Sequence, residues 1–166
     1  MQTENEPTNN PPAEDSNMKT PQQSKSPSET QPQSPPSKKT KVPRPKDTAY
    51  LYDCVVENIV DGDTLLIRID LGFDVWKQQR IRLADIDCPP LDTPKGQEAA
   101  DYVRARMAKA DMVMVRTHKV DVYGRYVGHI FYVTRKDGHK ENVFRLGRFL
   151  NQELVNKGFA TVQSFR

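Results

Sequence analysis

Asp61-Gly62-Asp63-Thr64-Leu65-Leu66-Ile67-Arg68-Ile69-Asp70 and, a short turn later, Arg80-Ile81-Arg82-Leu83-Ala84-Asp85-Ile86-Asp87-Cys88-Pro89-Pro90 decide how this chain folds. Asp61-Gly62 is a strong hairpin-turn signal. After it, Leu65, Ile67 and Ile69 alternate with Leu66, Arg68 and Asp70, the period of a half-buried strand. Gly72 to Lys77 turns the chain. Ile81 and Leu83 then alternate with Arg80, Arg82 and Ala84 in a further strand, so Arg82 projects to the face opposite Ile81 and Leu83. Asp87 falls where this strand must end, because Pro89 and Pro90 cannot continue a central strand.

On the N-terminal side of this ribbon, Tyr50 to Val60 is rich in apolar, aromatic and β-branched residues and reads as a strand. Before it the composition changes. Residues 1–46 hold 10 of the 13 prolines, none of the 8 glycines and no aromatic residue. A segment this poor in large apolar side chains buries too little surface to offset its ordering entropy. The expected organisation is a disordered Pro/Ser/Gln-rich tail over residues 1–47 and one domain over residues 48–166. Lys41-Val42-Pro43-Arg44-Pro45 should be an extended lead-in, since residues before proline avoid the helical region. Lys38, Lys39, Lys41, Arg44 and Lys46 form a basic cluster that reads as a solvated linker.

On the C-terminal side, Thr93-Pro94 looks like an N-cap followed by proline at the first helical position. The helix should run to about Ala110, with Ala99, Val103 and Met107 facing the core. Met112 to Thr117 and Arg125 to Thr134 read as strands, with Tyr123-Gly124 in the loop between them. Asp137-Gly138 is a second hairpin signal, with Asn142 to Arg145 as a short strand after it. Leu146, Leu150 and Leu154 give a second helical stripe, stopped at Gly158. The fold class is therefore α+β, mainly β. Five short strands with a helix after the third suit a small closed barrel, and an OB-type barrel has this strand count and commonly binds oligonucleotides.

Charge and cysteine content narrow the function. The net charge of +3 is not the strongly basic balance of a protein that coats nucleic acid, so any such affinity must come from local placement of charge. The two cysteines, Cys54 and Cys88, are too few for a disulfide framework and match no zinc spacing. Cys54 reads as a buried strand residue. Cys88 has no histidine near it in sequence and is a poor candidate nucleophile. No run of 18 apolar residues exists, so no membrane span is expected. No signal peptide is visible. The hydrophilic tail reads like the spacer of an exported or envelope-tethered protein if Met1 is an engineered start, and otherwise a cytoplasmic location is expected.

The carboxylates Asp63 and Asp87 and the guanidiniums of Arg82 and Arg125 lie on segments far apart in sequence. Such a set is what a hard cation and a phosphodiester need. Alone, Asp61-Gly62-Asp63 would be only a hairpin turn and Arg82 only a solvent-facing strand residue. Together with three further pieces they form a pattern. These are Gly96 to Ala99, the Asp121-Val122-Tyr123-Gly124-Arg125 loop, and Leu150-Asn151 through Gly158. In this order and spacing the sequence resembles the staphylococcal nuclease (thermonuclease) family over about residues 50–163.

The resemblance implies an OB-like five-stranded barrel with two helices and a calcium-dependent phosphodiesterase acting on DNA and RNA. By position, Asp63 and Asp87 match the family's calcium-holding carboxylates, and Cys88 would add its backbone carbonyl. Arg82 and Arg125 match the arginines that grip the scissile phosphate, and Tyr123 a tyrosine beside the nucleotide. One position departs. Where the family has a glutamate that acts as or positions the general base, this chain has Pro90, which cannot titrate. Asp92, in the same loop, is the candidate replacement. Near the C-terminus the family has tyrosines against the base, where this chain has Ser164, Phe165 and Arg166. The expected partner is nucleic acid and the expected state a monomer. Two rival readings stand beside the nuclease: a non-catalytic nucleic-acid-binding module on the same barrel, and a protein-interaction domain whose Pro-rich tail recruits aromatic-lined grooves.

Overall fold

The structure is a computed structural model and describes residues 41–121, 125–134 and 139–163. Its first strands are those the alternation demands. β1 (Leu51–Ile59) and β2 (Thr64–Asp70) form an antiparallel hairpin, and β2 pairs in full register with β3 (Trp76–Leu83). The Asp61-Gly62 turn is closed by main-chain bonds from Val60 and Asp61 to the Thr64 carbonyl and by the Asp63 N–H on Asp61 Oδ1. Leu65, Ile67, Ile81 and Leu83 are fully buried. Each such side chain contributes roughly 1.5–3 kcal/mol through burial.

β5 (Met112–Val120) and β6 (Tyr126–Val133) extend the sheet, giving the order β3-β2-β1-β5-β6. The parallel pairing of β3 with β6, Ile81 opposite Tyr126 and Arg82 opposite Val127, closes it into a five-stranded barrel. Closure removes the exposed edges that an open sheet of this size would carry. After β3 the chain turns at Asp85, which adopts a left-handed φ of 60°, into the two-residue strand β4 (Ile86–Asp87).

Helix α1 (Pro94–Met107) begins as the sequence predicts. Thr93 Oγ1 accepts the Gly96 N–H, Pro94 opens the helix, and Ala99 and Val103 are fully buried. Gly96 is required by space. A Cβ there would lie 1.9 Å from the Pro90 carbonyl oxygen, so the helix start and the Pro89-Pro90 loop meet backbone to backbone.

The C-terminal third departs from expectation. The segment Asn142 to Arg145, read as a strand, lies within helix α2 (Lys140–Leu146), so the described residues form three helices where two were expected. Its burial explains the error. Val143 and Phe144 both pack into the core, and a short apolar run does not reveal its own period. Leu146 is 81% exposed and does not join the stripe. The chain breaks at Gly147, forms β7 (Arg148–Phe149) against β6, and starts α3 (Leu150–Lys157), which buries Leu150, Asn151, Leu154 and Val155. Gly158 ends α3 with φ 79°, the left-handed stop that only glycine adopts freely. A final strand, β8 (Thr161–Val162), pairs with β4, placing Thr161 opposite Asp87. The expected hairpin signal at Asp137-Gly138 lies outside the described residues.

Part of the segment assigned to the tail lies on the domain. Val42 is 1% exposed, and its N–H donates to Gln152 Oε1. Arg44 is no solvated linker charge. Its guanidinium donates to the carbonyls of Phe144 (2.6 Å) and Gly147 (3.0 Å) and sits 4.8 Å from the Phe131 ring centroid. Arg44→Ala should therefore destabilise the domain by about 2 kcal/mol, from two charge-assisted hydrogen bonds and a cation–π contact. A urea midpoint unchanged from the parent protein would show that the strap contributes nothing.

Candidate functional site

The carboxylate of Asp63 is set by the β1–β2 turn and is nearly fully buried, its side chain 4% exposed. Three groups donate to it. Arg82 Nη1 (2.7 Å) and Thr64 Oγ1 (3.0 Å) reach Oδ1, and the Cys88 N–H (3.1 Å) reaches Oδ2. Arg82, directly across the β2–β3 ladder from Thr64, uses its second arm, Nη2, on Asp87 Oδ1. One guanidinium thus bridges two carboxylates 24 residues apart in sequence. The fork geometry that lets arginine do this is not available to lysine. Burial pushes the Asp63 carboxyl above the usual carboxylate range despite the Cys88 N–H and the Arg82 charge. For Arg82, burial works to lower the pKa, but Asp63 and Asp87 together raise it.

This arrangement can accept a hard cation, but sparsely. Each carboxylate oxygen has two lone pairs. Asp63 Oδ1 uses both, whereas Oδ2 uses one on the Cys88 N–H. Asp87 is half exposed. The spare oxygen donors are therefore on Asp63 Oδ2 and on the outward side of Asp87, a set that suits calcium rather than zinc. Among the described residues no group of three or more His, Cys, Asp or Glu converges to hold a metal ion. Any ion here would need backbone carbonyls and water to complete its shell. Cys88 contributes its backbone N–H to Asp63 Oδ2. Burial, then the charges of Asp63, Asp61 and Asp87, push the Cys88 thiol up to about 12, so it is not a thiolate near neutral pH.

Arg125 immediately precedes β6. Its Nε and its backbone N–H both donate at 2.8 Å to Asp121, and the Asp121 N–H returns a bond to the Arg125 carbonyl. Because Tyr126 pairs with Ile81 and Val127 with Arg82, barrel closure brings Arg125, just ahead of β6, to the strand that carries Arg82. Tyr123 and Ser164 to Arg166 lie outside the described residues. Pro90 is exposed, and its carbonyl accepts from Thr93 Oγ1 (2.7 Å) and the Thr93 N–H (3.0 Å). Asp92 lies elsewhere: it lines an open hollow beside α1 with Leu91, Gln97, Asp101 and Arg104, which Asp63 and Asp87 do not line.

The sequence reading missed a polar chain beside this site. Asp47 accepts twice from Arg116 Nη2 (2.7 and 2.8 Å), and Arg116 Nη1 contacts His118 Nε2 (2.7 Å). His118 Nε2 contacts His129 Nδ1 (2.8 Å), and His129 Nε2 contacts Asp85 Oδ2 (3.2 Å). The chain ends on the turn two residues before Asp87. Only the strand register, Arg116 opposite His129, brings these residues together, so no local motif signals them. Burial, then the His118 neighbour, push His129 down to about 4. An unfolded histidine takes up its proton near 6.5, so between 6.5 and 4 the unfolded chain binds more protons than the folded one. Stability contributed by neutral His129 is thus present above pH 6.5 and lost as pH falls towards 4, by on the order of 3 kcal/mol. Denaturant titrations at pH 7 and pH 4.5 check this: His129→Gln should flatten the acid loss, and an unchanged slope would remove His129 as its source.

A closed five-stranded barrel in which one arginine bridges a carboxylate of the β1–β2 turn to one on β4, with a second arginine just ahead of β6, defines the class of domain. Staphylococcal nuclease homologues match residues 80–166, a little over half of the chain, and the chain belongs to that family. It is also 28% identical over 131 residues to the protein named Endonuclease YhcR of Bacillus subtilis (strain 168). That similarity covers 71% of this chain and 9% of the relative, so the chain spans about a tenth of the relative's length.

Proposed function

We infer that this domain hydrolyses phosphodiester bonds of DNA or RNA with the help of calcium, at a rate held down by Pro90. The observation that carries the reading is the double ion pair of Arg82 with Asp63 and Asp87 on a strand paired to the one that Arg125 immediately precedes. Arg82 and Arg125 would grip non-bridging oxygens of the scissile phosphate and take up the extra charge of the in-line transition state. Asp63 Oδ2, Asp87 and a backbone carbonyl at Cys88 would hold calcium, which when bound neutralises phosphate charge and lowers the pKa of bound water. No residue at position 90 can take the proton from that water. Asp92 is a weak replacement, since it faces the α1 hollow. The family and the endonuclease relative support the substrate class.

Arg125→Ala tests the assignment. It should lower cleavage of a single-stranded oligonucleotide by about 100-fold or more while the fold is kept. Undiminished cutting by that variant would sink it. A second reading, a binding module without catalysis, is favoured by one observation, Pro90 at the base position. It predicts salt-dependent oligonucleotide binding with no product. A localisation outside the cell fits weak calcium sites, which suit roughly millimolar calcium.

A further inference from the structure

We propose that the outer face of the β2–β3 ribbon is a single-stranded nucleic-acid track that leads from Arg82 to a base-stacking platform on Trp76. The inference rests on the nucleic-acid reading above and extends it to a surface that the phosphate site does not include. On β3 the side chains of Leu83 and Ile81 enter the core, so Arg82, Arg80, Gln78 and Trp76 share the outer face. The ladder sets Thr64 beside Arg82, Leu66 beside Arg80, Arg68 beside Gln78 and Asp70 beside Trp76. Arg80, Gln78 and Arg68 are exposed, and Trp76 is 45% exposed.

The indole is held in place rather than merely exposed. The Arg68 guanidinium carbon lies 5.1 Å from the Trp76 ring centroid. Glu57, on the neighbouring strand, fixes that guanidinium through Arg68 Nε (3.4 Å) and also accepts from Gln78 Nε2. Asp70, also on this face, is turned to the hairpin, where it accepts the Gly72 N–H (2.8 Å). Glu57 and Asp70 are thus engaged by protein groups, and Arg80 presents its charge to solvent about 7 Å along the strand from Arg82. Trp76 lies about 20 Å from Arg82. A cationic path with an aromatic platform at its end is how OB folds hold single strands without reading sequence, over sites of about 4–16 nucleotides. Charge complementarity and continuity with the phosphate clamp select a nucleic-acid strand as occupant over a second copy of the chain, which the exposed Phe73 and Val75 at the hairpin tip would otherwise suit.

Trp76 is the single tryptophan, so its fluorescence reads the platform directly. The full chain is titrated, in chelator to stop cleavage, with thymidine oligonucleotides of two and eight nucleotides, end-labelled so that anisotropy reports binding independently. The eight-mer should quench Trp76 and the two-mer should not. Trp76→Ala and Arg80→Ala should each weaken the eight-mer about tenfold and leave the two-mer unchanged, with Trp76→Phe restoring most of the loss. Arg80→Ala should also reduce the salt slope by about 0.7. If the eight-mer binds by anisotropy without quenching and without loss in Trp76→Ala, the track is overturned and the phosphate site stands. If neither oligonucleotide binds, the track is overturned, and cleavage in calcium decides the phosphate site separately. Fluorescence that instead follows protein concentration, with a dimer in sedimentation, would also overturn the track and make the hairpin tip a self-association surface.

Discussion

Arg82→Ala is expected to lower phosphodiester cleavage by about 100- to 1,000-fold and to destabilise the domain at the same time. The two effects share one cause. Arg82 is the cation for a carboxylate whose side chain is 4% exposed, and it also spans to Asp87. Removing one partner of a buried pair leaves the other charge uncompensated, at a cost of about 3 kcal/mol or more. For a domain of this size that corresponds to a fall of roughly 10 °C in melting temperature. Arg82→Lys separates the effects. A lysine restores one ion pair and much of the stability, but it cannot fork between two carboxylates or grip a phosphate through two donors. Thermal melts and single-turnover cleavage on the three proteins decide the matter. Full activity in Arg82→Ala would remove this residue from the phosphate site.

The second large effect runs the other way. Pro90→Glu should raise the cleavage rate by about 100-fold or more, because a positioned general base typically contributes about 100- to 10,000-fold. The structure tolerates the change. Pro90 is exposed, and what its neighbours use is its backbone carbonyl, which bonds Thr93 and sits against Gly96. Any amino acid supplies that carbonyl. The variant should lose under about 1 kcal/mol, chiefly through the freer unfolded chain. A rate unchanged by Pro90→Glu, in a protein that still folds, would show that the missing base does not limit cleavage.

The parts of the fold that could be read in advance are those specified locally. The Asp61-Gly62 turn, the alternation of Leu65, Ile67, Ile81 and Leu83, the Thr93-Pro94 cap and the Gly158 stop each depend on residues within a few positions. What escaped depends on distant partners. Val42 and Arg44 look like linker because their partners, Phe144, Gly147 and Gln152, lie 100 or more residues away. Helix α2 has no side-chain cap on His139 and no full apolar stripe, so nothing in residues 140–146 marks it as helical. The β4–β8 ribbon is two residues wide, below the length at which a pattern exists.

The site divides in the same way. The order of Asp63, Arg82 and Asp87 made their meeting legible. That Arg82 bridges both carboxylates, and that Asp92 turns to the α1 hollow, follows only from the closed barrel and the packed helix.

Calcium-assisted hydrolysis is tested most directly by single-turnover cleavage of a single-stranded DNA by the unmodified protein in calcium and in chelator. Slow product formation that appears with calcium, disappears with chelator and is lost in Arg125→Ala is the predicted result. Binding without product in calcium, or cutting that is indifferent to chelator, would contradict it.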